Sequence, residues 1–157
     1  MTDTARPARC TEPERRQFDF WIGDWDVLDP EGRTVGHNRI TSLFDGCAIR
    51  EEWEGASGHR GTSLNAWSPE TGWWSQTWVD SSGLVLRIEG GLRPEGMVME
   101  GTAVLPGSET SVPTRQRITW SPMDGDADRI RQHWEVSKDG SSWETVFDGH
   151  YRRRPAG

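Results

Sequence analysis

The sequence predicts an all-β protein: a single closed antiparallel up-and-down barrel of about ten strands, preceded by a short N-terminal helix. Three observations lead to this prediction. The chain has 157 residues, which is the size of one domain. Turn signals rich in Gly, Pro and Asp recur roughly every 8 to 14 residues, the spacing typical of sandwiches and barrels. Ten tryptophans supply large rigid side chains for a core or a cavity wall.

The N-terminal region shows two kinds of pattern. Residues 1–11 lack apolar periodicity and are expected to form a disordered leader, so the barrel domain is expected to span 12–154. Thr11 is predicted to cap a short helix, with Pro13 in its first turn and Glu14 three residues after the cap. This capping-box pattern indicates a helix of about one or two turns.

From residue 21 onward, turn chemistry divides the chain into strands. Examples are Asp29-Pro30-Glu31-Gly32 and Lys138-Asp139-Gly140. Short connections favour an antiparallel meander, and closing that meander removes its exposed edges. The predicted strands are 21–28, 34–43, 47–54, 60–67, 73–80, 84–91, 97–104, 114–121, 129–137 and 143–153.

Alternation along each strand predicts which side chains point into the barrel, because residues two apart share a face. In the third strand Ile49, Glu51 and Trp53 share the inward face, and the alternate positions are all charged. An unsatisfied buried polar group costs about 1 to 3 kcal/mol. The inward amides therefore either satisfy one another, the backbone and trapped water, or line a wet or ligand-filled cavity. These amides are Asn38, Asn65, Gln76, Gln116 and Gln132.

Charge and hydropathy exclude two classes of partner. The net charge is −7, from 25 acidic and 18 basic residues spread along the chain, which argues against nucleic acid. The basic cluster 152–154 is too small and local to change this. No apolar run reaches the length of a signal sequence or a membrane span, so no membrane partner and a cytoplasmic protein are expected.

The cysteines and histidines show no metal-binding pattern. Cys10 and Cys47 could form a disulfide, but Cys10 lies in a polar stretch that is expected to fray, so two free thiols in a reducing compartment are expected. Neither Cys-x-x-Cys nor His-Glu-x-x-His occurs, and the four histidines lie far apart in sequence. No metal site is expected.

The opening of the barrel resembles a known signature. Gly23-Asp24-Trp25 after a helix is similar to the Gly-x-Trp motif of the calycin superfamily, which contains lipocalins and fatty-acid-binding proteins. The longer phrase Phe18-Asp19-Phe20-Trp21-Ile22-Gly23-x-Trp25-x-Val27 resembles the opening of a bacterial calycin-like family of unknown function. Further agreement is carried by Gly61-x-Ser63-Leu64-Asn65, Trp74-x-Gln76-x-Trp78-Val79-Asp80 and Trp134-Glu135-x-Ser137-x-Asp139-Gly140.

The resemblance covers about residues 15–154 and implies how one barrel end is built. Trp25 would plug that end, and Arg152, Arg153 or Arg154 from the last strand would pack across it. Nitrobindins, a haem-binding branch of similar barrels, would suggest His150 or His133 as a ligand. Their glycine-rich opening is not matched, and alternation places His133 outside, so no cofactor is expected.

The leading functional hypothesis is that a small, partly apolar organic molecule binds inside the barrel. Ligand cavities combine apolar and aromatic walls with a few well-placed polar groups. The stacking walls would come from Trp53, Trp67, Trp78, Trp120 and Trp134, and the orienting amides would be Asn65, Gln76, Gln116 and Gln132.

Two alternatives remain open. The barrel could be a cofactor-independent enzyme, such as a cyclase, isomerase or dehydratase, with Glu51 as acid or base, because burial raises the pKa of a carboxyl toward neutrality. Asp80 is the second candidate acid, beside a turn that it could cap instead. Alternatively, a filled barrel could form a homodimer through an outward-facing Trp73 or Trp143, since aromatic residues are enriched at interfaces.

Overall fold

Ten antiparallel strands form a closed barrel in the computed structural model, which describes residues 9–155. Each strand pairs with its neighbours in the chain, and the first pairs with the last, which confirms the predicted closed up-and-down barrel. The strands are β1 Gly23–Leu28, β2 Thr34–Leu43, β3 Ala48–Gly55, β4 Arg60–Trp67, β5 Trp74–Asp80, β6 Val85–Arg93, β7 Gly96–Ala103, β8 Thr114–Met123, β9 Asp126–Ser137 and β10 Glu144–Arg153.

The largest difference from the predicted boundaries is in the β8–β9 hairpin. β9 begins at Asp126 rather than at 129, because Met123 pairs directly with Asp126. The two residues between them, Asp124 and Gly125, both have positive φ angles, 54° and 67°. Two central residues with positive φ are the signature of the tight turn that best fits the twist of a hairpin. The strands therefore continue to the turn itself.

The predicted N-terminal helix is present as two short 3₁₀ turns, Pro13–Arg16 and Asp19–Trp21. The predicted capping box is wrong. Glu12, not Thr11, precedes the first turn, and no side chain caps it. Instead, the carboxylate of Glu12 accepts a hydrogen bond from Arg15 Nε at 3.0 Å.

These two turns insert aromatic side chains into one end of the barrel. Phe18 stacks on Trp21 with ring centroids 4.7 Å apart. It also packs edge-to-face with Trp74 and Trp120, at centroid distances of 5.6 and 5.1 Å. All four side chains are buried. The indole of Trp74 donates a hydrogen bond to the carbonyl of Glu14 at 3.2 Å, which attaches the first turn to the barrel. We refer to Phe18, Trp21, Trp74 and Trp120 as the aromatic plug.

Trp25 and Arg153 complete this end. The guanidinium carbon of Arg153 lies 4.2 Å from the centre of the Trp25 ring, and its Nη1 donates to the carbonyl of Ile22 at 3.0 Å. Trp25 Nε1 donates to the carbonyl of Trp21 at 2.9 Å. A side chain at Gly23 would collide with Arg153, so the glycine leaves the space in which the arginine lies. Of the three arginines that the resemblance offered, Arg153 covers Trp25.

A disulfide joins Cys10 to Cys47, so the expectation of two free thiols is wrong. Cys47 is the last residue of the turn between β2 and β3. The N-terminal segment runs beside this turn, where Arg16 donates to the carbonyl of Gly46. The polarity of the N-terminal sequence carried no information about this long-range contact. Because the cysteines are not free thiols, they do not support a cytoplasmic location. Residues 1–8 of the expected leader lie outside the described residues.

Within residues 9–155, no helix has the length and apolar character that a membrane crossing requires.

We expect the disulfide to stabilise the closed end of the barrel. The two cysteines are 37 residues apart, and a cross-link closing a loop of that length stabilises a fold by about 4 kcal/mol, largely by restricting the unfolded chain. Replacing both cysteines with Ser should lower the free energy of unfolding in urea by about that amount. Reduced wild-type protein is the control and should match the variant. Equal stability of oxidised protein and variant would contradict the prediction.

Candidate functional site

A cavity of about 190 Å³ occupies the barrel on the side away from the aromatic plug. Successive connections of an up-and-down barrel alternate between its two ends. The plug contacts the β2–β3 turn, and the cavity includes His59 from the β3–β4 connection, so the two lie at opposite ends. The lining is mostly aromatic and aliphatic with a few polar groups: Trp53, Trp78, Trp134, Phe147, Tyr151, Leu86, Ile118, Val146, Glu51, His59, Gln76 and Gln132.

Strand register sets the position of Glu51 in this lining. Across β3, β4, β5 and β6, Glu51 lies opposite Ser63, Ser63 opposite Trp78, and Trp78 opposite Leu86. Paired residues in adjacent antiparallel strands point to the same face. A side chain at Gly61 would collide with the indole of Trp78. The absence of a side chain at this position therefore lets the Trp78 ring extend across the interior.

Glu51 is the buried acid of the site. Its side chain is nearly inaccessible, and each carboxylate oxygen accepts one hydrogen bond: Oε1 from Ser63 Oγ at 2.8 Å and Oε2 from Asn38 Nδ2 at 2.7 Å. Burial raises the pKa of Glu51 to about 7, and the two hydrogen bonds oppose this rise only in part. Near neutral pH, Glu51 can therefore either accept or release a proton.

A chain of hydrogen bonds runs from Glu51 in both directions. On one side Asn38 Nδ2 also donates to the Tyr151 hydroxyl at 2.7 Å, and that hydroxyl donates to Gln132 Oε1 at 2.5 Å. Burial and the nearby Glu51 carboxylate raise the pKa of Tyr151 well above its usual value, so its hydroxyl keeps its proton. The inward position of Asn38 is thus explained by a network rather than by solvent.

On the other side of Glu51 the network continues through β4 and β5. Gln76 Nε2 donates to Asn65 Oδ1 at 2.7 Å, and Asn65 Nδ2 donates to Ser63 Oγ at 2.9 Å. The two sequence-based alternatives for the inward amides therefore coexist. Each of the five amides has a hydrogen-bond partner within the fold, with Gln76 and Asn65 bonded to each other. Two of them, Gln76 and Gln132, also line the cavity.

The open end of the cavity carries a second polar group. His59 Nδ1 accepts a hydrogen bond from Trp53 Nε1 at 3.2 Å, and its Nε2 lies 3.3 Å from Asp80 Oδ2. Asp80 also accepts from Trp78 Nε1 at 2.9 Å. Burial raises the pKa of Asp80, but hydrogen bonds from Ser82 and Trp78 outweigh it and hold that pKa below its usual range. Asp80 therefore remains ionised and orients two rings of the wall.

Several of the predicted site residues line the cavity, and others do not. Asn65 lies behind Gln76, which separates it from the cavity. Gln116 is fully buried and accepts a hydrogen bond from Trp134 Nε1 at 2.7 Å, so it orients a wall residue. The predicted residues that line the cavity are Glu51, Trp53, Gln76, Trp78, Gln132 and Trp134.

Two predicted wall tryptophans lie elsewhere. Trp120 belongs to the aromatic plug, and Trp67 packs near that end under the guanidinium of Arg15, 5.4 Å from its ring centre. Each strand runs the length of the barrel, so residues that share an inward face can lie at opposite ends. Alternation therefore identified the face of Trp67 and Trp120 but not their height along the barrel axis.

The sequence analysis missed several lining residues. Tyr151 could have been found, because alternation along β10 places it on the same face as Gly149. Val146 and Phe147 are adjacent yet both line the cavity, because the register of β10 shifts between Thr145 and Phe147. Such an irregularity breaks strict alternation. His59 lies in a connection, where no periodic signal exists.

Residues 9–155 hold no cluster of metal-binding side chains, and the two histidines considered as haem ligands lie outside the cavity. These residues contain no group of three or more His, Cys, Asp or Glu side chains suited to a metal ion. His133 Nε2 lies 2.9 Å from Thr145 Oγ1, and His150 Nε2 lies 3.2 Å from Asp148 Oδ1. Neither histidine lines the cavity, so neither is placed to ligate a haem inside the barrel.

The two tryptophans considered for a dimer surface differ in exposure. Trp73 is 52% exposed on the outside of the barrel. Trp143 is partly covered by Arg117, whose guanidinium carbon lies 3.9 Å from the ring centre. The homodimer hypothesis therefore depends on Trp73.

No protein-family model and no curated protein matches the sequence of this chain.

We expect Glu51 to make the stability of the fold depend on pH. The pKa of Glu51 is about 7 in the fold and 4.5 as its ordinary value, so the folded protein binds the proton more tightly than the unfolded chain does. The contribution of Glu51 is therefore most favourable below pH 4.5 and is lost as pH rises through about 7, by on the order of 3 kcal/mol.

Glu51→Gln removes this titration and tests the prediction. The stability of the variant relative to wild type, from urea unfolding, should rise between about pH 4.5 and 7 and then level off. The matched control is Glu52→Gln, on the outward face of the same strand, which should show no such trend. A constant difference between Glu51→Gln and wild type over this pH range would refute the prediction.

Proposed function

We propose that the protein binds a small, partly apolar organic molecule in the cavity at the open end of the barrel. The observation that carries the proposal is the cavity of about 190 Å³ in a chain that fills its other end with four large aromatic side chains. Folded interiors are close-packed, and voids much larger than a water molecule are few. An aromatic cavity with a few polar groups is the usual composition of a ligand site.

The chemistry of the wall supports a ligand of mixed character. Trp53, Trp78 and Trp134 offer extended apolar surfaces, and the nitrogen of each indole ring is engaged by a neighbouring residue. Rings held in this way lose little conformational entropy when a ligand arrives, which favours binding. Gln76, Gln132 and Glu51 supply the polar groups that would orient the molecule.

We also propose that the fold is a calycin-like barrel. The closed ten-strand meander and the packing of Arg153 across Trp25 support the resemblance that begins at Gly23-Asp24-Trp25. The cytoplasmic location stays a prediction from the sequence, and the Cys10–Cys47 disulfide counts against it, because disulfides persist mainly in oxidising compartments.

A second candidate function is cofactor-independent catalysis with Glu51 as acid or base. The specific observation in its favour is that burial raises the pKa of Glu51 to about 7 in a residue that lines the cavity. A group with a pKa near the working pH transfers protons most effectively. Cyclisation, isomerisation and dehydration are reactions that such a group can assist.

Blocking the cavity tests the binding function. Val146→Trp adds a large ring at the open rim of the lining, where Val146 is 40% exposed, and Val85→Trp makes the same change on the outer wall. We expect wild type and Val85→Trp to bind benzyl alcohol in calorimetry, and Val146→Trp to lose binding by tenfold or more, about 1.4 kcal/mol. Native mass spectrometry should show the same pattern for any molecule retained on purification. Equal binding by all three proteins, or by none, would contradict the proposed function.

Catalysis would separate the variants in a different way. On a compound retained by the purified protein, Glu51→Gln should lower turnover by about 100-fold or more, while the compound still binds. Glu52→Gln should keep wild-type turnover and the inflection of its pH profile near 7. Undiminished turnover in Glu51→Gln would exclude Glu51 as the acid or base.

A further inference from the structure

Glu51, the buried acid of the cavity, has no cationic partner among the described residues. Glu51 lies within the lining, and Asp80 holds Trp78 and His59 at the open end. Among the described residues, no Lys or Arg lines this cavity. A buried carboxylate without a counter-charge is costly, and an opposite charge nearby favours its ionised form. The site therefore disfavours an anionic ligand and leaves Glu51 without the charge that would stabilise it.

The hydrogen-bond network is oriented toward an ionised Glu51. Asn38 and Ser63 both donate to it, and behind Ser63 the donors Asn65 and Gln76 point in the same direction. A carboxylate has room for about four hydrogen-bond donors, and only two are supplied here. The surroundings of Glu51 thus favour its ionised form and leave part of the carboxylate's capacity to accept hydrogen bonds unused.

The aromatic wall suits a positive charge. The faces of indole rings carry negative potential and attract organic cations, most strongly when water is excluded. Trp53, Trp78 and Trp134 belong to the same lining as Glu51. His59, the one basic side chain in that lining, accepts a hydrogen bond from Trp53 at Nδ1, so that nitrogen carries no proton in this arrangement.

We propose that the ligand of this cavity is a small organic ammonium ion, with its charged head near Glu51 and its apolar part against the tryptophan wall. The inference rests on the proposed binding function and narrows it to one class of ligand. The head would supply the charge that Glu51 lacks, and the rings would replace the water that the cation loses on entry.

A matched pair of probes tests the role of charge. Choline carries a permanent positive charge, and 3,3-dimethylbutan-1-ol has the same shape with carbon in place of nitrogen. We expect calorimetry or NMR titration at about pH 8 to show choline binding at least about tenfold more tightly than the alcohol. Glu51→Gln should abolish most of that preference, and Glu52→Gln, which removes the same charge from the outer wall, should retain it.

The pH dependence gives a second, independent readout. Choline cannot lose its charge, so a change in its affinity reports the protein groups that face it: Glu51, Tyr151, His59 and Asp80. Tyr151 stays protonated and Asp80 stays ionised near neutrality. Affinity for choline should therefore fall by several-fold from about pH 8 to about pH 6, as Glu51 takes up a proton. This fall should be largely lost in Glu51→Gln.

The outcomes separate this inference from the proposed function. If the neutral alcohol binds as tightly as choline, or if the preference for choline survives in Glu51→Gln, the cation assignment is overturned while binding of small molecules stands. If choline fails to bind at a concentration at which benzyl alcohol binds, the cation assignment is likewise overturned while binding of small molecules stands. If neither choline nor benzyl alcohol binds, both the inference and the proposed function fail.

Discussion

The aromatic plug is the constraint on which the rest of this structure depends. A ten-stranded barrel is wider than its own inward side chains readily fill, so part of its interior must be occupied by something else. At one end the two 3₁₀ turns insert Phe18 and Trp21 against Trp74 and Trp120. This packing leaves the unfilled volume at the other end. The disulfide and Arg153 hold the inserted segment in place from two sides of the barrel.

A layer of buried polar side chains links the end filled by the aromatic plug and the cavity. Asn38, Glu51 and Tyr151 connect β2, β3 and β10 through their side chains, which adds hydrogen bonds across the seam between first and last strands. Buried polar networks stabilise a fold only when their members are satisfied. Two members of this network do not meet that condition in full: Asn38 Oδ1 is buried without a hydrogen-bond partner, and the charge of Glu51 is uncompensated. A locally unfavourable group inside an otherwise consistent core is where function is expected.

The strands could be predicted because turn chemistry is local. Asp, Gly and Pro at the connections act within a few residues, and the short connections that they mark predicted the strand order. Closure was predicted because it removes the exposed edges of the meander. The position along the barrel axis is not local. Trp78 and Trp120 both point inward, yet one lines the cavity and the other belongs to the plug. Their separation depends on strand stagger, which no single-strand pattern contains. The Cys10–Cys47 contact was missed because it too joins distant parts of the chain, and no local pattern contains that information.

The two functions proposed for this cavity, binding and catalysis, would differ in what the ligand presents to Glu51. A cation and a proton would compete for the carboxylate of Glu51. A bound cation therefore lowers the pKa of Glu51, and protonation of Glu51 weakens cation binding by the same factor. With a pKa of about 7, this exchange takes place near neutrality. A ligand with a permanent charge would only be held. A ligand that carries an acidic proton next to its charged group would place that proton within reach of a desolvated base. The same residue would then serve recognition and reaction, because burial without a counter-charge underlies both.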